Sequence, residues 1–162
     1  MTTEPTPSGR HAVASAADEH ATEPQAAAAA KESGTTATPA TSAVDIAGSV
    51  PDDVQLIVDA LDDKRAADIA VLDLRSVSET LDWFVVATGE SSLQLKALED
   101  SVRERMKAHG YLPRGVEGPS VRWVLLDYGV VVVHVMSPEA REFYDLEGLW
   151  ADAERIDVTP RQ

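Results

Sequence analysis

The chain has 162 residues and carries 28 acidic against 14 basic side chains, which gives a formal net charge of −14. It contains no cysteine, so disulfides, thiol catalysis and cysteine-ligated metals are excluded. No run of about 18 apolar residues occurs, so we predict no membrane span. The acidity argues against tracking a phosphate backbone, and we predict no direct nucleic-acid readout.

Residues 1–48 form a distinct N-terminal segment, rich in Ala, Thr, Pro, Ser and Glu, with almost no large apolar side chain. Such a segment cannot bury enough surface to offset the entropy of ordering it, so we predict a disordered tail without a signal peptide. Six acids and two bases lie there, which leaves the rest of the chain near −10. We predict one compact domain over residues 49–153 and a short C-terminal tail over residues 154–162.

Apolar periodicity predicts alternating helices and strands along the first part of this domain. A capped amphipathic helix runs to about Lys64, and DIAVLDL at 68–74 alternates like a strand. The segment 81–88 is apolar on both faces, as expected for a central strand. A second helix runs over 92–109, with a capping box at its start and a glycine after its end. A loop is predicted over residues 111–120, because this segment contains two prolines and two glycines.

The run RWVLLDYGVVVVHVM at 122–136 predicts a hairpin that turns at Asp127-Tyr128-Gly129. Its alternation places Trp123 and Leu125 on one face and Val124 and Leu126 on the other, so both faces need to be covered. A last helix begins at Ser137-Pro138. We expect Phe143, Leu146, Leu149 and Trp150 to face the core, Arg141, Glu142 and Glu147 to face water, and the chain to fray after Ala153. The predicted fold is α/β, with a small mixed sheet and helices in two or three layers.

Two features of this sequence invite a catalytic interpretation. The turn Thr88–Ser92 places a glycine and hydroxyls between a strand and a helix N-terminus, where free backbone N–H groups can bind phosphate. A single glycine with no following lysine makes helix capping the better explanation. His134, on an apolar strand, is better explained as a hydrogen-bonded packing residue than as a catalytic base, although Asp127 on the neighbouring strand could lie close to it. Asp68 and Asp73 are five residues apart and point to opposite faces of a strand, so no metal pair is predicted.

Six motifs, taken together and in order, resemble the Iojap family of bacterial ribosomal silencing factors. They are DIAVLDL (68–74), LDWFVVATGES (81–91), GYLPRGVEG (110–118), RWVLLDYG (122–129), VVVHVM (131–136) and EAREFYDLEGLW (139–150). The resemblance covers about residues 52–151. This sequence departs from the family's pattern at two positions. The family usually has a polar or basic residue in place of Leu93 and an aspartate in place of Val130.

The resemblance implies a cytoplasmic, non-enzymatic repressor of translation that needs no cofactor or metal. Family members bind large-subunit ribosomal protein fourteen, block an intersubunit bridge and keep the large and small subunits apart, particularly when nutrients are scarce. It implies a fold with nucleotidyltransferase-like topology without the catalytic acids, and a homodimer when free. Carried over to this chain, the family's binding surface comprises Trp123, Leu126, Asp127, Tyr128 and Met136.

Two other functions remain as alternatives at this point. One is a nucleotide-binding or nucleotidyl-transferring enzyme that uses the Gly89–Ser92 turn. The other is a dimeric scaffold that does not contact the ribosome.

Overall fold

A computed structural model describes residues 50–118 and 122–161 as one α/β unit. Its elements are α1 (Asp52–Asp63), β1 (Ala67–Asp73), β2 (Trp83–Thr88), α2 (Ser92–Ala108), β3 (Gly115–Glu117), β4 (Trp123–Asp127), β5 (Val131–Met136), α3 (Pro138–Tyr144), α4 (Leu146–Leu149) and β6 (Glu154–Ile156). The predicted tail over residues 1–48 lies outside the described residues. None of the helices in the described ranges is long and apolar enough to cross a membrane.

The strands form one six-stranded mixed sheet in the order β3-β4-β5-β2-β1-β6. The two central strands, β2 and β5, pair in parallel, and every other pairing is antiparallel. Every residue of β2 and β5 is buried, because helices cover both faces of the sheet at its centre. The predicted small mixed sheet is therefore confirmed.

Helices cover the two faces of the sheet as two separate layers. On one face, α1 and α2 pack against one set of strand side chains, which includes Val124 and Leu126 of β4. On the other face, α3 and α4 cover the alternate set, which includes Trp123 and Leu125. Of the two layer arrangements left open by the sequence, the structure has the three-layer one, and the predicted faces of the hairpin are confirmed.

The last helix differs from the sequence prediction because it is interrupted. Asp145 adopts a left-handed conformation, with φ 41°, and ends α3 after seven residues; α4 adds only four more. A single helical periodicity therefore does not run through this segment. The predicted core residues Phe143 (79% exposed) and Leu149 are in fact exposed, whereas Leu146 and Trp150 are buried as expected.

Arg141 was expected to face water, and this too is wrong. Its guanidinium lies against the sheet and donates to the carbonyl oxygen of Asp68 (2.5 Å) and to the hydroxyl of Thr88 (2.9 Å). It also pairs with Glu147 at 2.5 Å. Together these contacts connect α3 and α4 to the end of the central strand.

The chain beyond Ala153 is also more ordered than the sequence suggested. Residues 154–156 form β6, which pairs antiparallel with β1. The backbone N–H of Arg161 then donates to the carboxylate of Asp59 on α1, at 2.8 Å. The predicted loop at 111–120 likewise contains the short edge strand β3, paired with β4. Both differences have the same cause. A three-residue strand is too short to show a periodic pattern in the sequence, and it forms only because a neighbouring strand offers a free edge for pairing.

Candidate partner-binding surface

The turn between β4 and β5 forms a compact tip, which we call the hairpin tip (Asp127, Tyr128 and Gly129). The Asp127 carboxylate accepts a hydrogen bond from the backbone N–H of Gly129 at 2.7 Å, and the Tyr128 N–H donates to the carbonyl of Val131 at 2.9 Å. Gly129 has φ +92°, and a Cβ added there would lie 2.9 Å from the Cζ atom of Arg114. The backbone of the tip is therefore held by its own side chains and by a neighbouring arginine.

The five residues proposed from the family resemblance fall into two groups. Trp123, Leu126 and Met136 are buried, with Trp123 only 2% exposed. Asp127 and Tyr128 are half-buried at the hairpin tip. A partner that docks on this structure can therefore contact Asp127 and Tyr128 directly, while the other three lie beneath the surface.

Each of the buried three belongs to the core on its own face of the sheet. The Trp123 ring packs against Tyr144 of α3, with 4.6 Å between ring centroids, and Met136 packs in the same cluster. Leu126 belongs to the cluster under α1 and α2. These residues determine the shape of the hairpin and do not form its accessible surface.

Tyr128 presents an unusual orientation at the tip. Its hydroxyl is buried and has no hydrogen-bond partner among the described residues. Burial raises the pKa of Tyr128 to about 12, and the positive charge of Arg103 offsets this only partly. The part of Tyr128 that a partner can contact is thus not its hydroxyl.

His134 lies in the middle of β5 and is fully buried among aromatic rings. The Trp123 Nε1–H donates to its Nδ1 at 3.3 Å, and the Phe84 ring lies 4.6 Å away, edge to face. Burial lowers the pKa of His134 to about 3, so the ring is neutral at physiological pH. The strand register pairs Asp127 with Val132, and the Asp127 carboxylate bonds to the turn instead of to the imidazole. His134 is therefore a packing residue, as the sequence indicated.

The Thr88–Ser92 turn is occupied by the caps of α2. The Ser91 hydroxyl accepts from the Gln94 N–H at 3.1 Å, and the Gln94 side-chain oxygen accepts from the Glu90 N–H at 2.8 Å. The Gln94 amide also donates to the carbonyls of Lys64 (3.2 Å) and Arg65 (3.0 Å). The predicted Ser91 cap is confirmed, with the reciprocal Gln94 bond going to Glu90, one residue before the cap, and two N–H groups that could otherwise bind phosphate are taken.

Metal-ligating side chains do not converge in this part of the chain. Within residues 50–118 and 122–161, no three His, Cys, Asp or Glu side chains are grouped so that they could hold a metal ion.

Comparison with known proteins assigns the chain to a family. A sequence profile described as "Ribosomal silencing factor during starvation" matches residues 47–162, which include the hairpin tip and the C-terminal strand. The chain belongs to the ribosomal silencing factor family. The family resemblance stated from the sequence motifs is confirmed.

Individual members of the ribosomal silencing factor family and its relatives agree with this assignment. The chain is 40% identical over 106 residues to ribosomal silencing factor RsfS of Zymomonas mobilis, covering 64% of this chain and 79% of that protein. It is 31% identical over 102 residues to a mouse protein named mitochondrial assembly of ribosomal large subunit protein 1, covering 60% and 45% of the two chains. A crystal structure of a Chromobacterium violaceum protein superimposes with a TM-score of 0.60 at 39% identity, covering 68% and 88%.

Sequence reasoning missed one exposed pair in the segment that joins α2 to the hairpin tip of this ribosomal silencing factor family member. Tyr111 and Leu112 follow α2 and are 42% and 69% exposed. Both were read only as part of a loop. The available signal was the presence of two large apolar residues between a glycine and a proline, where solvated turns usually carry small polar side chains.

Proposed function

We propose that this chain binds the large ribosomal subunit and prevents it from joining the small subunit, and so represses translation in the cytoplasm. The match to the ribosomal silencing factor profile over residues 47–162 carries this proposal. The name of the mouse relative, which refers to assembly of the large ribosomal subunit, favours that subunit as the partner. Such a protein acts by occupying a surface, so the proposed activity is binding without catalysis.

Within that function, we infer that the hairpin tip contacts large-subunit ribosomal protein fourteen and covers an intersubunit bridge. The partner follows from the family resemblance, and the physical support comes from charge and exposure. Asp127 offers a half-buried carboxylate and Tyr128 an aromatic side chain, which together suit a basic protein. At low ionic strength, where it is least screened, the net charge of −14 favours rapid encounter with such a partner.

Trp123, Leu126 and Met136 enter this proposal as the support beneath the contact. Replacing Trp123 by alanine is expected to cost about 3–5 kcal/mol of stability, because a buried aromatic side chain leaves a cavity. Loss of silencing in that variant would therefore not distinguish a lost contact from a lost fold. Asp127 is the more informative position.

The test uses Asp127→Asn, which removes the charge but keeps the oxygen that accepts from the Gly129 N–H. Purified chain is mixed with separated ribosomal subunits, and the joined fraction is measured by sedimentation. We expect the wild type to reduce joining and Asp127→Asn to need several-fold more protein, since a half-exposed charge pair is worth about 1 kcal/mol. Asp62→Asn, an exposed acid on α1, is the matched control and should act like the wild type.

The outcomes separate the parts of the proposal. If Asp127→Asn represses joining as strongly as the wild type, the contact assigned to the hairpin tip is wrong. If the wild type neither sediments with large subunits nor reduces joining, the function itself is wrong, and the scaffold without ribosome contact becomes the better explanation. A homodimer in the free state stays a prediction, which sedimentation equilibrium of the purified chain tests.

The nucleotide-binding alternative has little support around Gly89–Ser92. The α2 N-terminus bonds to its own capping side chains, and Glu90 would repel a phosphate. Calorimetric titration with ATP and magnesium decides the matter. Saturable binding that is lost on substitution of Ser91 would restore this alternative.

A further inference from the structure

A basic and apolar surface lies directly beside the hairpin tip of this acidic protein. Between Glu104 and Glu117 the chain contains three bases and no acid. We define the connector surface as four exposed side chains of this stretch, namely Lys107, Tyr111, Leu112 and Arg114. Among residues 50–118 and 122–161, neither Lys107 nor Arg114 forms an ion pair with a carboxylate.

The chain reverses at the end of α2, between Lys107 and Tyr111. Gly110 has φ +88°, and the Tyr111 N–H donates back to the Met106 carbonyl at 2.9 Å while the Gly110 N–H donates to that of Lys107 at 3.0 Å. This paired pattern reverses the chain at the helix terminus. The Tyr111 backbone is therefore held beside the last turn of α2, which also contains Lys107.

The other end of the connector is joined to the hairpin tip. The Arg114 N–H donates to the Asp127 carbonyl at 2.6 Å, and the Arg114 guanidinium lies against Gly129. The connector surface is thus continuous with the exposed part of Asp127 and Tyr128. A partner large enough to cover the tip also reaches Arg114.

The chemistry of the connector surface differs from that of the tip. Unpaired lysine and arginine side chains bind phosphate oxygens, and an exposed tyrosine offers a flat face on which a base can stack. The net charge of the chain does not prevent this, because charges more than about 8 Å away are largely screened at physiological salt. An acidic contact and a basic contact side by side match a place where a basic protein adjoins RNA.

We propose that the connector surface contacts RNA of the large subunit through its phosphate backbone, next to the protein contact made by the hairpin tip. This inference rests on the proposed function, since it assumes that the chain docks on the large subunit. It adds a second class of partner, RNA, which is recognised without sequence readout. Tyr111 and Leu112 lie between the two bases along the chain, and their exposed apolar surface would exclude water from the contact.

The test compares the connector variant, Lys107→Gln/Arg114→Gln, with a matched control, Lys64→Gln/Arg65→Gln. The control removes two exposed bases whose backbone carbonyls accept hydrogen bonds from the Gln94 side chain at the start of α2. Gln94 is about 20 Å from Lys107 along the helix. The affinity of the full chain for large subunits is measured across a salt series. If the wild type makes two phosphate contacts that the connector variant lacks, raising the salt from about 50 to about 200 mM should weaken its binding about 7- to 12-fold more than that of the connector variant.

We expect the connector variant to bind large subunits more weakly at low salt and with a shallower salt dependence, while the control behaves like the wild type. Binding to purified large-subunit ribosomal protein fourteen is measured with Lys107→Gln alone, which leaves Arg114 and the hairpin tip unchanged, and should equal that of the wild type. If Lys107→Gln weakens binding to the purified protein as much as it weakens binding to large subunits, the inference is overturned and the surface contacts an acidic face of a protein instead. An unchanged salt dependence on large subunits would also overturn it, with the proposed function left intact. If the wild type fails to bind large subunits at any salt, both fall.

Discussion

Acidification should destabilise this protein through a single buried side chain, His134. The imidazole is fully buried, and its Nδ1 accepts a hydrogen bond from the Trp123 indole N–H at 3.3 Å. A proton on Nδ1 would abolish that bond and place a charge among the rings of Phe84 and Trp123. Burial accordingly lowers the pKa of His134 to about 3, against the usual value of 6.5.

The size of the effect follows from proton binding in the two states. Between the folded pKa and the unfolded pKa, the unfolded chain binds one proton more than the folded chain, so the free energy of unfolding falls as the pH falls. The slope is about 1.4 kcal/mol per pH unit. The stability contributed by neutral His134 is complete above about pH 6.5, and about 2 kcal/mol of it is lost by about pH 5.

Urea unfolding followed by tryptophan fluorescence at about pH 7 and about pH 5 measures this loss. The comparison variant is His134→Asn, whose side-chain oxygen lies near the position of Nδ1, can accept from Trp123 and does not titrate. Subtracting its pH dependence removes the contributions of the chain's other three histidines and of the carboxylates. If wild type and variant lose the same stability between the two pH values, the assignment of the acid sensitivity to His134 is refuted.

Three further changes test the fold around the proposed surface. Gly129→Ala should lower stability by about 1–2 kcal/mol in urea unfolding, since φ +92° and the nearby Arg114 guanidinium both oppose a Cβ, whereas Gly115→Ala, with open space around it, should be near neutral. Arg141→Met should cost about 2–3 kcal/mol, measured as a shift in the urea midpoint, because it breaks the bonds to the sheet and to Glu147; a midpoint like the wild type's would contradict this. Removal of residues 154–162 should cost about 2–3 kcal/mol by the same measure, since it exposes β1 and α1, and an unchanged midpoint would show that this segment is a dispensable tail.

The sequence predicted the long, strongly periodic elements well. The apolar stripe of α2, its Ser91 cap and the glycine after its end lie where the pattern placed them. The alternation around Trp123 correctly assigned each side chain of β4 to its face of the sheet. These features depend on residues close together in the chain, which is why local patterns are sufficient to predict them.

The candidate site was less predictable than the fold. The family resemblance named five residues around the hairpin, but it could not distinguish the half-exposed Asp127 and Tyr128 from the buried Trp123. The burial of Trp123 depends on Tyr144, which is distant in the chain and packs over it from α3. The position of α3 depends in turn on Arg141, whose partners Asp68 and Thr88 lie on other elements.

The amino-acid sequence by itself determined the class of this protein. Its apolar periodicity specifies alternating helices and strands, its lack of cysteine excludes thiol chemistry, and its motifs identify the ribosomal silencing factor family. Tertiary structure alone decided which side chains of the hairpin reach solvent and that Arg114 adjoins the tip. The physical reason is that periodicity is local, whereas exposure depends on which distant segment covers a residue, and only folding brings those segments into contact.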